Sequence, residues 1–149
     1  GAVMFGSNYS SGVNVWFNAL KAAAAGLATA SGYTVLIDET HHINKKDKPS
    51  GTAITAANLI QERMSQYDGW SLKDEEGKIH IEAHRKQDVT GTHSVFFSSD
   101  MDEIELVHRA HSREGFAKGA IRAAEWLCGR KGFFDFSQVF EEIFAIGNK

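Results

Sequence analysis

A chain of 149 residues that is 42% hydrophobic has the length and apolar content of one ordinary globular domain, and a domain of that size buries roughly 70% of its unfolded surface without help from a disulfide or metal. A formal charge of −3 argues against a nucleic-acid groove or a polybasic membrane surface, and no apolar run approaches the ~18 residues of a membrane span. The single cysteine, Cys128, excludes an internal disulfide and any multi-cysteine metal knuckle, and fits a reducing, cytoplasmic setting.

Val13, Trp16, Phe17, Leu20, Ala24 and Leu27 recur at three- and four-residue steps, which predicts an amphipathic helix over ~12–30. After Gly32, Tyr33, Val35 and Ile37 alternate with Thr34, Leu36 and Asp38 as a strand does. From Glu39 to Lys48 the chain turns polar without a period and reads as a loop rich in titratable groups. Pro49-Ser50-Gly51-Thr52 then opens a helix whose inward stripe is Ala53, Ala57, Ile60 and Met64. A polar connection around Gly69 and Gly77 precedes three strands, near ~78–86, ~92–98 and ~103–109, and a second amphipathic helix over ~113–128. The tail is dense in phenylalanine: Phe133, Phe134, Phe136, Phe140 and Phe144. Trp16, Trp70 and Trp126 fall in or beside apolar stripes and read as packing. This order predicts an α+β fold, with helices covering one face of a mixed sheet of about four strands.

The stretch from Glu39 to Thr52 is where chemistry is expected. It runs from the end of a strand to the start of a helix, where ligands of open α/β layers commonly sit. The backbone N–H groups of Gly51 and Thr52, at the positive end of a helix, favour an anion by ~0.3–1 kcal/mol. Ser50 or Thr52 can add a hydroxyl, and Lys45 and Lys46 bring charge to the same mouth. His41 and His42 are side chains that exchange protons at cell pH. Together these groups suit a small carboxylate-bearing substrate and a proton transfer. The blander alternative is a solvated histidine pair beside an ordinary helix cap. A metal is the third option, but although there are seven histidines, spacing fixes no third ligand beside His80 and His84, and none is expected. Gly1 to Ser7 imitates a phosphate loop but lacks its lysine and a preceding strand, and no G-x-G-x-x-G occurs.

The run His41-His42-x-x-Lys45-x-Asp47-x-Pro49-Ser50-Gly51-Thr52-Ala53 resembles the signature of the dihydrodipicolinate reductase family, also called 4-hydroxy-tetrahydrodipicolinate reductase. Agreeing blocks extend the likeness over nearly the whole chain: Ser7 to Asn14, Gly91-Thr92-His93, His108 to Arg113, Phe116 to Ala120 and Ala123 to Leu127. Lys48 stands where the family has a small residue, and Ser11 where it has an apolar one. The resemblance implies an oxidoreductase that uses NADH or NADPH to reduce the cyclic dicarboxylate 4-hydroxy-tetrahydrodipicolinate, on the diaminopimelate route to lysine.

Carried over by motif position, His41 is the proton donor and acceptor, and Lys45 a second donor. His42, Ser50, Gly51 and Thr52 contact substrate. Gly6, Ser7, Asn8 and Tyr9 touch the cofactor near its nicotinamide. The resemblance further implies that residues 1–149 are the C-terminal substrate-binding, catalytic and tetramerisation domain, forming a homotetramer through its sheets. The glycine-fingerprint nucleotide domain is not in this sequence, which opens at Gly1 rather than Met as an excised piece would. Residues 113–149 would cover that domain, leaving some of Phe116, Ile121, Phe134 and Phe140 short of a neighbour. Alone, the chain is expected to be inactive. The rival expectation is a non-catalytic oligomerisation module that keeps a relic dicarboxylate site.

Overall fold

A computed structural model describes residues 1–145. In chain order the elements are β1 (Ala2–Phe5), α1 (Ser11–Leu27), β2 (Thr34–His41), α2 (Gly51–Gln61), β3 (Trp70–Ser71), β4 (Ile79–Arg85), β5 (Gly91–Ser98), β6 (Glu103–Ala110), α3 (Glu114–Leu127), β7 (Gly132–Asp135) and α4 (Phe136–Ala145). The class is α+β, with a five-stranded mixed sheet and a separate two-stranded one. The chain divides into two compact units: Trp16–His111, and Gly1–Val15 together with the stretch from Ser112.

The larger unit is the sheet β3-β4-β2-β5-β6. β2 runs parallel to β4 and antiparallel to β5, and β6 closes the far side antiparallel to β5. Alternation along β2 sends Val35, Ile37, Glu39 and His41 to the buried face, level with Ile79, Ile81 and Ala83 of β4 and with His93, Val95 and Phe97 of β5. The residues 16–27 of α1 cover that face with Trp16, Phe17, Leu20 and Ala24, and the Trp16 indole donates to the Leu106 carbonyl at 3.1 Å. α2 covers it with Ala53, Ala56, Ala57 and Ile60, all sealed from solvent. Each fully buried Leu, Ile or Phe here contributes roughly 1.5–3 kcal/mol by removing apolar area from water.

The expected loop from Glu39 is corrected at its start. β2 continues through His41, because both neighbouring strands offer ladder positions to these polar residues: Glu39 pairs with Ala83 and His93, and Thr40 with His84 and Thr92. Two-sided pairing satisfies the backbone whatever the side chains are. The two-residue β3, which gives the sheet its fifth strand, is too short to show a period.

The smaller unit pairs β1 and β7 in parallel, Ala2 with Gly132 through Phe5 with Asp135. Neither strand is legible alone, and part of the opening stretch Gly1 to Ser7, compared above with a phosphate loop, forms β1. Four-residue strands have too few alternations to read, and these two find each other across most of the chain. Their cover is α3 and α4, around Ala123, Trp126, Phe136, Phe140 and Ile143. Trp126 meets Phe134 edge-on at 5.0 Å, and the Arg130 guanidinium lies 3.7 Å above the Trp126 ring. Gly119 is a contact point of backbone on backbone: a Cβ there would sit 1.7 Å from the Tyr9 carbonyl oxygen. The phenylalanine-rich tail is thus mostly core. Phe140 is buried, Phe116 and Phe134 are half-buried, and Ile121 remains 60% exposed.

Candidate functional site

The strand-to-helix segment is built around a buried carboxylate. Glu39 has no exposed surface, and a buried charge persists only when surrounded by donors. Its Oε1 accepts from the Ser50 backbone N–H at 3.0 Å and from the Arg85 guanidinium at 3.3 and 3.4 Å. Its Oε2 stands 3.3 Å from His41 Nδ1 and 3.6 Å from His93 Nε2. Burial alone would raise the Glu39 pKa, but His93, Ser50 and the neighbouring His41 outweigh it and bring it down to about 2.

His41, the last residue of β2, lies edge-on to His93 with ring centroids 4.8 Å apart. Burial lowers its pKa, and His93, Lys45 and Arg85 add to the effect against the pull of Glu39, leaving it at about 4. The imidazole is therefore neutral at cell pH. Gly91 opposite leaves room for the ring: a Cβ there would lie 3.1 Å from His41 Nε2.

Arg85 stitches the following loop to the sheet. Its Nε donates to the Lys45 carbonyl at 3.2 Å and its Nη2 to the Asp47 carbonyl. Lys45 Nζ pairs with Asp47 at 2.9 Å, which holds the Asp47 carboxyl below its usual range. Ser50 then caps α2, its hydroxyl accepting from the Ala53 N–H at 3.2 Å while lying 3.2 Å from His93 Nε2. That hydroxyl, expected to face a substrate, is buried and turned inward. Gly51 is exposed at the helix start, with Thr52 buried beside it, and His42 is half-buried just past β2.

His41, Lys45, Ser50, Gly51 and Thr52 thus belong to one strand-loop-helix unit. The residues that tie it together, Glu39, Arg85 and His93, escaped sequence reasoning. One signal was available for Glu39: continuing the step Val35, Ile37 places it on the apolar side of β2, where a carboxylate needs a reason. The fold also brings Glu39, His41 and His93 together within 4.8 Å, as it does Asp38, Glu82 and His84 on the opposite face, so ligand sets that spacing did not display do exist. In the first set, the guanidinium of Arg85 already neutralises the carboxylate.

Gly6, Ser7, Asn8 and Tyr9 lie in the other unit. The Asn8 side chain accepts from the Ser10 N–H, and the Tyr9 hydroxyl donates to the Met4 carbonyl while its ring packs on Phe136. Gly6 and Ser7 are exposed. None of these four carries a buried side-chain polar atom without a partner.

Comparisons with known proteins agree with one another. The family model described as "Dihydrodipicolinate reductase, C-terminus" matches residues 12–140. A 4-hydroxy-tetrahydrodipicolinate reductase of Christiangramia forsetii is 44% identical over 144 residues, covering 96% of this chain and 60% of that protein. One from Methanosarcina mazei is 45% identical over 128 residues, covering 83% of this chain and 48% of its own length. The chain therefore spans about half to three-fifths of these curated relatives. Among solved structures, a dipicolinate-bound dihydrodipicolinate reductase from Paenisporosarcina sp. TG-14 superposes with a TM-score of 0.69 at 21% identity, over 91% of this chain and 54% of that one, a likeness of fold.

Proposed function

The chain belongs to the dihydrodipicolinate reductase C-terminal family, and we propose that it is the substrate-binding and catalytic part of an NAD(P)H-dependent 4-hydroxy-tetrahydrodipicolinate reductase of lysine biosynthesis. The observation that carries this reading is the buried, neutral His41 held within the same strand-loop-helix unit as the amide-bearing start of α2. One group moves a proton, and the other receives a carboxylate. The dipicolinate bound by the solved relative is a ring dicarboxylate, the class of ligand such a pairing would take.

In this mechanism the first turn of α2, at Gly51 and Thr52, takes one substrate carboxylate on its positive end. Lys45, half-buried and already paired with Asp47, exchanges that partner for substrate charge and serves as a second proton donor. His42, next to His41, is a substrate contact. A twice-ionised ring placed beside His41 raises the affinity of the imidazole for a proton, so substrate binding itself loads the acid that protonates the reduced ring. The nicotinamide cofactor, when bound, supplies the hydride. Gly6 to Tyr9 fit a glancing contact with it. Lacking a glycine-rich cradle among its described residues, this chain by itself would turn over little or no substrate.

The sheet face away from α1 and α2 carries Leu36, Phe96 and Val107 with no helix of its own unit above them, which supports sheet-to-sheet assembly into a homotetramer. Residues from 113 onward, with Ile121 outward, would cover a nucleotide domain.

Titration with pyridine-2,6-dicarboxylate tests the reading. Saturable binding that is lost in Thr52→Val supports it. Oligomerisation without binding would instead mean an assembly module with a relic site. In a full-length relative, His41→Gln at the matching position should cripple turnover with little change in substrate affinity.

A further inference from the structure

We propose that Glu39 is the positioning residue of this site. It holds His41 as the Nδ1–H tautomer, leaving Nε2 as the proton-exchanging atom, and through the same carboxylate it ties that imidazole to the anion-receiving start of α2 and to the Lys45 loop. The role given to His41 rests on the function proposed above, whereas the tautomer and the tie do not.

The assignment follows from satisfying buried atoms. Glu39 Oε2 and His41 Nδ1 are both sealed from solvent, make no hydrogen bond, and stand 3.3 Å apart, with His93 Nε2 3.6 Å from the same oxygen. An ionised carboxylate only accepts, so the contact is attractive only if the proton resides on Nδ1. Were it on Nε2, two lone pairs would face each other in a dry interior. The other oxygen has no freedom to rearrange, because Ser50 N–H and the two Arg85 nitrogens donate to Oε1. One carboxylate thus fixes three things together: the ring of His41, the residue that caps α2, and the side chain that grips the carbonyls of Lys45 and Asp47. Such shared support is how a site keeps reacting groups in register.

The same geometry predicts what a neutral isostere does. In Glu39→Gln the donors around Oε1 claim the amide oxygen, so the NH₂ group turns toward His41. The lone pair of His41 must then occupy Nδ1, and its proton moves to Nε2.

The test is a long-range proton–nitrogen correlation spectrum of the chain labelled with ¹⁵N-histidine, near neutral pH. The His41 signals are identified by their absence in His41→Gln. Unsubstituted chain should show a protonated Nδ1 and a bare Nε2, and Glu39→Gln should reverse the pattern. Wild-type His41 protonated on Nε2 overturns the proposal, even should Glu39→Gln fail to fold, and so does an unchanged pattern in a folded Glu39→Gln. Arg85→Lys keeps the carboxylate and should retain the Nδ1–H pattern while weakening pyridine-2,6-dicarboxylate binding several-fold. Loss of the pattern there would remove Glu39 as its cause. If the wild-type chain shows the Nδ1–H tautomer but binds no pyridine-2,6-dicarboxylate, the positioning role stands and the substrate reading falls.

Discussion

In the unit built on the five-stranded sheet, the deepest polar group, Glu39, is ringed by two imidazoles, a guanidinium and a backbone N–H. In the smaller unit the tightest point is Gly119, where backbone meets backbone, and the core around it is aromatic. Both regions leave little slack, but for different reasons. Packing around Gly119 is short-ranged and indifferent to pH, so only volume can disturb it. Packing around Glu39 is electrostatic, so a proton or an isosteric amide can disturb it without changing volume. Chemistry on a substrate needs the second kind, because only groups that can change charge can move protons.

The largest effect expected from breaking this contrast is Gly119→Ala. The added methyl cannot coexist with the Tyr9 carbonyl, and the backbone must move, at a cost on the order of 4 kcal/mol. Hydrogen exchange should localise the loss to α3 and the β1–β7 pair. Ile37→Ala, in the sealed core beneath the site, should cost roughly 3 kcal/mol in urea denaturation by leaving a cavity.

Acidification comes next and belongs to the sheet unit. His41 falls from 6.5 to about 4 and Glu39 from 4.5 to about 2 on folding. In both windows the unfolded chain binds more protons than the folded one, so stability drops as pH falls. The loss begins near 6.5 with His41 and continues through the Glu39 window toward 2. Thermal melts across this range should show a decline that is reduced in His41→Gln.

Lys45→Ala should weaken pyridine-2,6-dicarboxylate binding by roughly tenfold, about 1.4 kcal/mol, and by more than Lys46→Ala does, because Arg85 holds the Lys45 carbonyl in place. Equal effects in a calorimetric titration would make the charge generic. Smallest is Ile121→Ser: at 60% exposure it should change unfolding stability by less than about 0.5 kcal/mol. A larger change would mean that Ile121 is covered in solution.

Much of this protein was legible as a string. The three-and-four-residue steps of Val13 to Leu27, the alternation through Ile37 and the Pro-Ser-Gly-Thr helix start each carry their own signal, because helix and strand period act over neighbours in sequence. They place α1, β2 and α2 within a few residues, and the His41 to Ala53 signature supplied the family. What the tertiary structure alone decided are the pairings at a distance. Glu39, Arg85 and His93 meet only because β4 and β5 flank β2 in one particular register, and β1 finds β7 across more than a hundred residues. A one-residue slip of β4 would turn Arg85, and one of β5 would turn His93, to the face opposite Glu39. Local periodicity carries no information about register between strands, and so the meeting of Glu39, Arg85 and His93 could not be read from the sequence.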